Sequence, residues 1–187
     1  MQSSTLPARA TESYNQYRSI FSLPFHEHST TSIKLSNVPK STAAMPDGLD
    51  IKKIAMIGCG SMGGGMAQLF AENGIHVSLE DPSEEQIDAV INAAKKDNIP
   101  ADRFSKHTDY KSLCESLDKP KVFFFSLPHG SVGDTVVGGL MPYLEKGDII
   151  VDCGNEHWEN TERRQGKCVT KGIRYVGCGV SGGYQAA

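Results

Sequence analysis

The sequence predicts an α/β domain built on a doubly wound parallel sheet, preceded by a disordered N-terminal tail. Three observations carry this. Short, continuously apolar runs alternate with stretches whose apolar residues recur at helical spacing, the pattern of strands covered by helices on both faces. The first apolar run passes straight into Gly58-Cys59-Gly60-Ser61-Met62-Gly63, a Gly-x-Gly-x-x-Gly turn that opens a helix. Composition also changes near Asp50: of 19 glycines, 18 follow it, whereas residues 1–50 hold one Gly, four Pro and 14 Ser/Thr.

The elements follow in order. Residues 51–57 read as a buried strand. After the glycine turn, Met62, Met66, Leu69 and Phe70 recur at helical spacing as far as Asn73-Gly74, where glycine suits the left-handed position that ends a helix. Residues 75–79 give a second strand. Ser83 with Gln86 reads as a capping box for a helix whose inner face is Ile87, Val90, Ile91 and Ala94. Residues 98–110 supply at most a short strand near Phe104, followed by a short helix through Leu113 and Leu117. Residues 122–127, apolar but for Ser126, read as a strand buried on both faces, and Val132, Val136, Val137, Leu140, Met141 and Leu144 outline the next helix. A further buried strand is expected at 148–153, a polar helix at 157–171 with Glu159 and Arg163 paired at i,i+4, and a last strand at 173–177. About six strands are expected, in the order of dinucleotide-binding sheets.

Two domains are expected, a tail over 1–50 and an ordered domain over 51–187. The tail lacks apolar periodicity and cannot offset its own conformational entropy, so it is expected to be disordered. Its four basic and four acidic residues give weak support to a targeting peptide, and Met45 is an alternative start. His26-Glu27-His28 in this tail reads as solvated rather than metal-binding.

The formal net charge of -3 offers no chain-wide attraction to nucleic acid or anionic lipid. The longest apolar stretch, residues 122–125, is far short of the roughly 20 residues of a membrane helix. Cys59, Cys114, Cys153, Cys168 and Cys178 form an odd set without a C-x-x-C pair, which suggests neither a disulfide framework nor a zinc site. A cytoplasmic, reduced chain without nucleic acid, membrane or metal partners is expected.

The glycine turn is where chemistry concentrates. In Gly58-x-Gly60-x-x-Gly63 the first glycine permits a tight turn, the second lets backbone approach a pyrophosphate, and the third lets helix and strand pack closely. Free N–H groups and partial positive charge at the helix start favour an anion there. Asp81, 23 residues after Gly58 and beside Glu80, stands where an acid hydrogen-bonds the adenosine ribose of NAD. The same carboxylate would repel a 2′-phosphate, and Pro82-Ser83 brings no Arg to neutralise one, so the local charge favours NAD over NADP. After the fourth strand comes Leu127-Pro128-His129-Gly130, at the carboxyl edge where ligands bind. His129 reads as a polar rim residue rather than a general base. Asn155, after the fifth strand, is either a ligand to nicotinamide and substrate or a turn residue. Cys153 reads as buried packing.

Taken together these residues resemble the β-hydroxyacid dehydrogenases, and within them the 6-phosphogluconate dehydrogenase family, whose domain of this kind is a Rossmann fold. Four blocks in order carry the resemblance: Gly58-x-Gly60-x-Met62-Gly63-x-x-Met66; Gly147-Asp148-Ile149-Ile150-Val151-Asp152-Cys153-Gly154-Asn155; Thr161-Glu162-Arg163-Arg164; and Val176-Gly177-Cys178-Gly179-Val180-Ser181-Gly182-Gly183. It covers 51–187. The second and third blocks favour this family over the 3-hydroxyisobutyrate type.

The resemblance implies oxidation of 6-phosphogluconate by NADP and decarboxylation to ribulose 5-phosphate. It implies that Gly58, Cys59, Gly60, Ser61, Met62 and Gly63 cradle the pyrophosphate and that Asp81, Pro82 and Ser83 face the adenosine ribose. Leu127, Pro128 and His129 would flank the cofactor, and Asn155 would reach nicotinamide and substrate. Ser181, Gly182 and Gly183 would hold the phosphorylated sugar acid. Where the family has Asn-Arg-Thr to grip a 2′-phosphate, this chain has Asp81-Pro82-Ser83. The family's helical domain, with its catalytic Lys and a nearby Asn, has no counterpart here. The expectation is therefore the cofactor-binding part of a longer enzyme, with no catalytic residue assigned in this chain. The alternatives are a non-catalytic, redox-sensing dinucleotide-binding module or another β-hydroxyacid dehydrogenase. Tyr175, Val176 and Val180 are expected to expose an apolar face that promotes association or homo-oligomers.

Overall fold

The computed structural model describes residues 51–180. The expected tail, its His26-Glu27-His28 and the sugar-acid ligands Ser181, Gly182 and Gly183 lie outside the described residues.

Along the chain come β1 (Lys53–Ile57), α1 (Ser61–Glu72), β2 (His76–Glu80), α2 (Glu84–Lys96), β3 (Phe104–His107), α3 (Tyr110–Glu115), β4 (Val122–Phe125), α4 (Ser131–Leu140), β5 (Ile149–Asp152), α5 (Trp158–Val169) and β6 (Arg174–Gly177). Short 3-10 turns occupy Ala101–Arg103 and Met141–Tyr143. All strand pairs are parallel, and the sheet order is β3-β2-β1-β4-β5-β6. The order reverses between β1 and β4, and there the helices that follow the two strands pass to opposite faces. A crevice opens beyond the carboxyl ends of the strands at such a switch point.

The expected six-stranded doubly wound sheet is therefore present. Its two faces are visible in β1 itself, where successive side chains alternate. Ile54 and Met56 join Val77, Leu79, Ile87, Val90 and Ala94 beneath α1 and α2, while Ala55 and Ile57 join Phe123, Phe125, Val136, Leu140 and Ile150 beneath α3, α4 and α5. Both faces of the central strands are apolar, hence the unbroken runs in the sequence.

Several local expectations are corrected. In α1 the fully buried positions are Gly63, Gly64, Ala67 and Ala71; of the apolar series, Met66 and Phe70 pack partly buried against the core, while Leu69 is 44% exposed. Small residues face inward because the helix lies close on its neighbours; a Cβ on Gly64 would stand 2.8 Å from Val90 Cγ2. The capping box is absent. Ser83 is the N-cap of α2, but its side chain makes no cap bond, and its N–H donates to Asp81 Oδ1 at 2.8 Å. Leu117, Met141 and Leu144 fall outside the helices proper, and Val132 is exposed. Glu159 and Arg163 do not pair, because Arg163 turns to Asp134 on α4 at 2.6 Å and to Asn160 at 2.7 Å. Tyr175 is not part of an exposed face: it is buried and its hydroxyl donates to Asp152, leaving Val176 exposed. Among the described residues no helix is long and apolar enough to cross a membrane, and no cluster of three or more potential metal ligands is present.

Candidate functional site

The turn after β1 is fixed by close contacts that only glycine tolerates. Gly58 has φ +92°, and an added Cβ would overlap the Ser126 carbonyl oxygen beyond β4. A Cβ on Gly63 would overlap the Gly58 carbonyl oxygen, which locks the start of α1 against the turn. Gly60 is different. It is exposed, and a Cβ there would meet nothing within 4 Å, so the space beside it is open. Gly60 is the N-cap of α1 without a side-chain cap, and the first helical bond runs from Gly64 N to Gly60 O at 2.7 Å. The amides of Ser61, Met62 and Gly63 precede that bond and have no intrahelical acceptor. No acidic residue lies in the first turn to occupy them.

The carboxyl end of β2 closes the other side. Asp81 Oδ2 accepts from Cys59 N at 2.7 Å and Oδ1 from Ser83 N at 2.8 Å, so the acid braces the glycine turn. Glu80 is buried, and burial, reinforced by Asp81, pushes its carboxyl up to about 7. Cys59 is buried with its thiol toward the Glu80 carbonyl. Burial first, then the Asp81 and Glu80 carboxylates, push that thiol up to about 12, which leaves it inert.

Between these segments and the loop after β4 lies a cleft of about 660 Å³. Of the residues singled out by sequence, it is lined by Gly58, Gly60, Ser61, Met62, Asp81, Pro82, Leu127 and Pro128. Cys59, Gly63, Ser83 and His129 are not on its wall. Ile57, Glu80, Gln86, Tyr110, Ser126, Val132 and Val136 complete it, and of these the sequence placed only Glu80, beside Asp81, near a coenzyme.

His129 is exposed and, among the described residues, has no carboxylate partner. Asn155 lines a separate hollow of about 430 Å³ with Gly154, Gly177, Cys178 and Gly179. A Cβ on Gly154 would stand 3.0 Å from the Leu127 carbonyl oxygen, so the loops after β4 and β5 run in close contact. Cys153 is buried, as expected, and burial followed by the neighbouring Cys178 pushes its thiol up to about 12.

Behind these loops is a cluster the sequence reading missed. Arg164 on α5 is 1% exposed. Its Nη1 lies 3.0 Å from Glu156 Oε2 and 3.3 Å from Asp152 Oδ2, and its Nη2 donates to the Gly130 carbonyl and to Asp134 Oδ2 at 3.2 Å. The available signal was the Thr161-Glu162-Arg163-Arg164 block, but an arginine in a polar helix reads as solvated.

Comparison with known proteins decides the family. A model described as the NAD binding domain of 6-phosphogluconate dehydrogenase matches residues 53–187. The chain belongs to this family. The decarboxylating 6-phosphogluconate dehydrogenase 2 of Arabidopsis thaliana is 39% identical over 136 residues, covering 72% of this chain and 27% of the relative. The NAD(+)-dependent decarboxylating enzyme of Bacillus subtilis is 35% identical over 130 residues, covering 70% of this chain and 27% of the relative. Among solved structures, the Plasmodium falciparum 6-phosphogluconate dehydrogenase, determined apo, with NADP+ and with 6-phosphogluconate, superposes with a TM-score of 0.67 at 28% identity. That match covers 72% of this chain and 28% of the Plasmodium chain. The chain thus spans little more than a quarter of the length of these 6-phosphogluconate dehydrogenases, and the part it spans is their NAD(P)-binding domain.

Proposed function

We propose that this domain binds NAD in preference to NADP and serves as the coenzyme-holding part of a decarboxylating 6-phosphogluconate dehydrogenase. The observation that carries the proposal is the open cradle at Gly60, with unpaired helix amides on one side and the braced Asp81 carboxylate on the other. The residues fit the coenzyme: Gly60 leaves room where a pyrophosphate approaches, and the amides of Ser61, Met62 and Gly63 bind anionic oxygen. Asp81 keeps lone pairs free after accepting from two amides, and these suit ribose hydroxyls. Its negative charge, with Glu80 next to it and no cation at Pro82 or Ser83, opposes a 2′-phosphate. A bound nicotinamide supplies a hydride acceptor. Met62, Leu127 and Pro128 exclude water from the cleft, His129 stands at its rim, and Asn155 with Ser181, Gly182 and Gly183 holds the phosphorylated sugar acid.

Five free cysteines suit a reducing compartment such as the cytoplasm. Association with a second copy would use the edge strand β6, where Val176 is 46% exposed. Titration of the 187-residue chain with NADH and NADPH, followed by reduced-nicotinamide fluorescence, tests the reading. NADH is expected to bind about tenfold more tightly, a difference of about 1.4 kcal/mol. Preference for NADPH would refute the role given to Asp81, and silence with both would refute coenzyme binding.

A further inference from the structure

We propose that Arg164 is a positioning residue that locks together the loop after β4 and the loop after β5, and so fixes the half of the coenzyme site that receives the nicotinamide. The inference rests on the coenzyme reading above and extends it to a residue that lines neither cavity.

Both polar groups of the Gly130 backbone are held by one ion pair. Glu156 Oε2 accepts from Gly130 N at 2.8 Å, while Arg164 Nη2 donates to the Gly130 carbonyl. The two side chains are themselves joined at 3.0 Å. Gly130 has φ +98° and directly follows Leu127-Pro128-His129, so this clamp sets the course of that loop. On the other side, Asn155 is bracketed by two anchored residues. Glu156 is one of them. The other is Gly154, whose N–H donates to Asp152 Oδ1 at 3.1 Å, and Asp152 Oδ2 receives Arg164 Nη1 and the Tyr175 hydroxyl. The guanidinium is thus the shared node between His129 on one loop and Asn155 on the next.

The surroundings are shaped for it. A Cβ on Gly133 of α4 would stand 2.6 Å from Arg164 Cζ, so that glycine makes the space the guanidinium fills. Asp134, Asp152 and Glu156 surround one buried cation, and a planar fork with several donors can serve them all where an ammonium cannot. Its Nε has no partner, which is the cost of holding the fork in this orientation. None of the hydrogen bonds or ion pairs of this cluster reaches Gly58, Gly60 or Asp81, and the bonds of Asp81 run to Cys59 and Ser83, so the adenosine half has a separate polar bracing.

That independence gives the test. The full chain and its Arg164→Lys variant are titrated with NADH and with ADP-ribose, which lacks the nicotinamide. Arg164→Lys is expected to weaken NADH about tenfold and to abolish the emission change of bound NADH, while ADP-ribose affinity stays within about twofold. Glu156→Gln, which keeps an oxygen for Gly130 N but loses the charge facing Arg164, is expected to show the same split, and it decides the matter should the lysine variant not fold. Equal losses for both ligands, no loss in a folded variant, or failure of both variants to fold would reduce Arg164 to a structural residue and overturn the proposal. If the unmodified chain bound neither ligand, the coenzyme reading itself would fail and take this inference with it. Wild-type binding with a parallel loss in the variants would overturn the positioning role alone.

Discussion

Gly60 and Gly63 share a motif and differ in what they are for. Gly63→Ala forces a methyl into the Gly58 carbonyl, and denaturant unfolding should show a loss of about 3 kcal/mol. Gly60→Ala meets no atom, so stability should stay within about 1 kcal/mol while NADH affinity falls at least about tenfold. Asp81→Asn keeps an oxygen for Cys59 N and removes the charge that opposes a 2′-phosphate. The NADPH-to-NADH affinity ratio should rise about tenfold in paired titrations. Glu80 makes a pH prediction. Its folded pKa of about 7 lies above the ordinary 4.5, so the folded chain keeps a proton that the unfolded chain has released. Stability therefore declines as pH rises through that window, and Glu80→Gln should remove the decline when urea midpoints are compared from about pH 5 to about pH 8. The glycine motif and Asp81 were legible because their chemistry is written in residue type and spacing. The bracing of Cys59 by Asp81 was not, since it depends on how two strand ends meet.

Among the elements, those that read poorly in sequence are the ones whose partners are distant. In α1 the apolar residues reveal the helix, but the deepest positions go to Gly63, Gly64, Ala67 and Ala71, and the close approach of Val90 on α2 explains why glycine stands at 64. The N-terminus of α2 carries the letters of a capping box, but Asp81 captures the Ser83 amide, and Ser83→Ala should shift unfolding by less than about 0.5 kcal/mol where a working cap would cost about 1 kcal/mol. Arg163 abandons Glu159 for Asp134 because a bidentate carboxylate on α4 outcompetes an exposed neighbour one turn away. Glu156, in the loop between β5 and α5, shows the opposite titration to Glu80. Burial pushes its carboxyl up, but hydrogen bonds from Asn160, Gly130, His157 and Arg164 outweigh that and hold it at about 2. A carboxyl depressed below its ordinary 4.5 contributes stability above that value and loses it as pH falls toward 2, so Glu156→Gln should flatten acid unfolding across that range, measured by circular dichroism.

At the scale of the whole molecule, the fold of residues 51–180 was legible almost entirely. Continuous apolar runs such as Val122-Phe123-Phe124-Phe125 require helices on both sides, and parallel crossovers leave few arrangements of six such strands. The site was legible in part. Its wall at the switch point, from Gly58 to Pro128, follows from the motif and the strand order, whereas the internal ionic brace behind Gly130 and Asn155 follows only from three-dimensional packing. What unites both scales is one physical arrangement: a sheet edge that points unpaired amides of α1 at an open space beside Gly60, with a fixed acid across from them. Amide NMR of the isotopically labelled 187-residue chain during NADH addition tests this most directly. The amides of Ser61, Met62 and Gly63 should shift and reach saturation together with NADH fluorescence. Saturable NADH binding that leaves those three amides unmoved would contradict it.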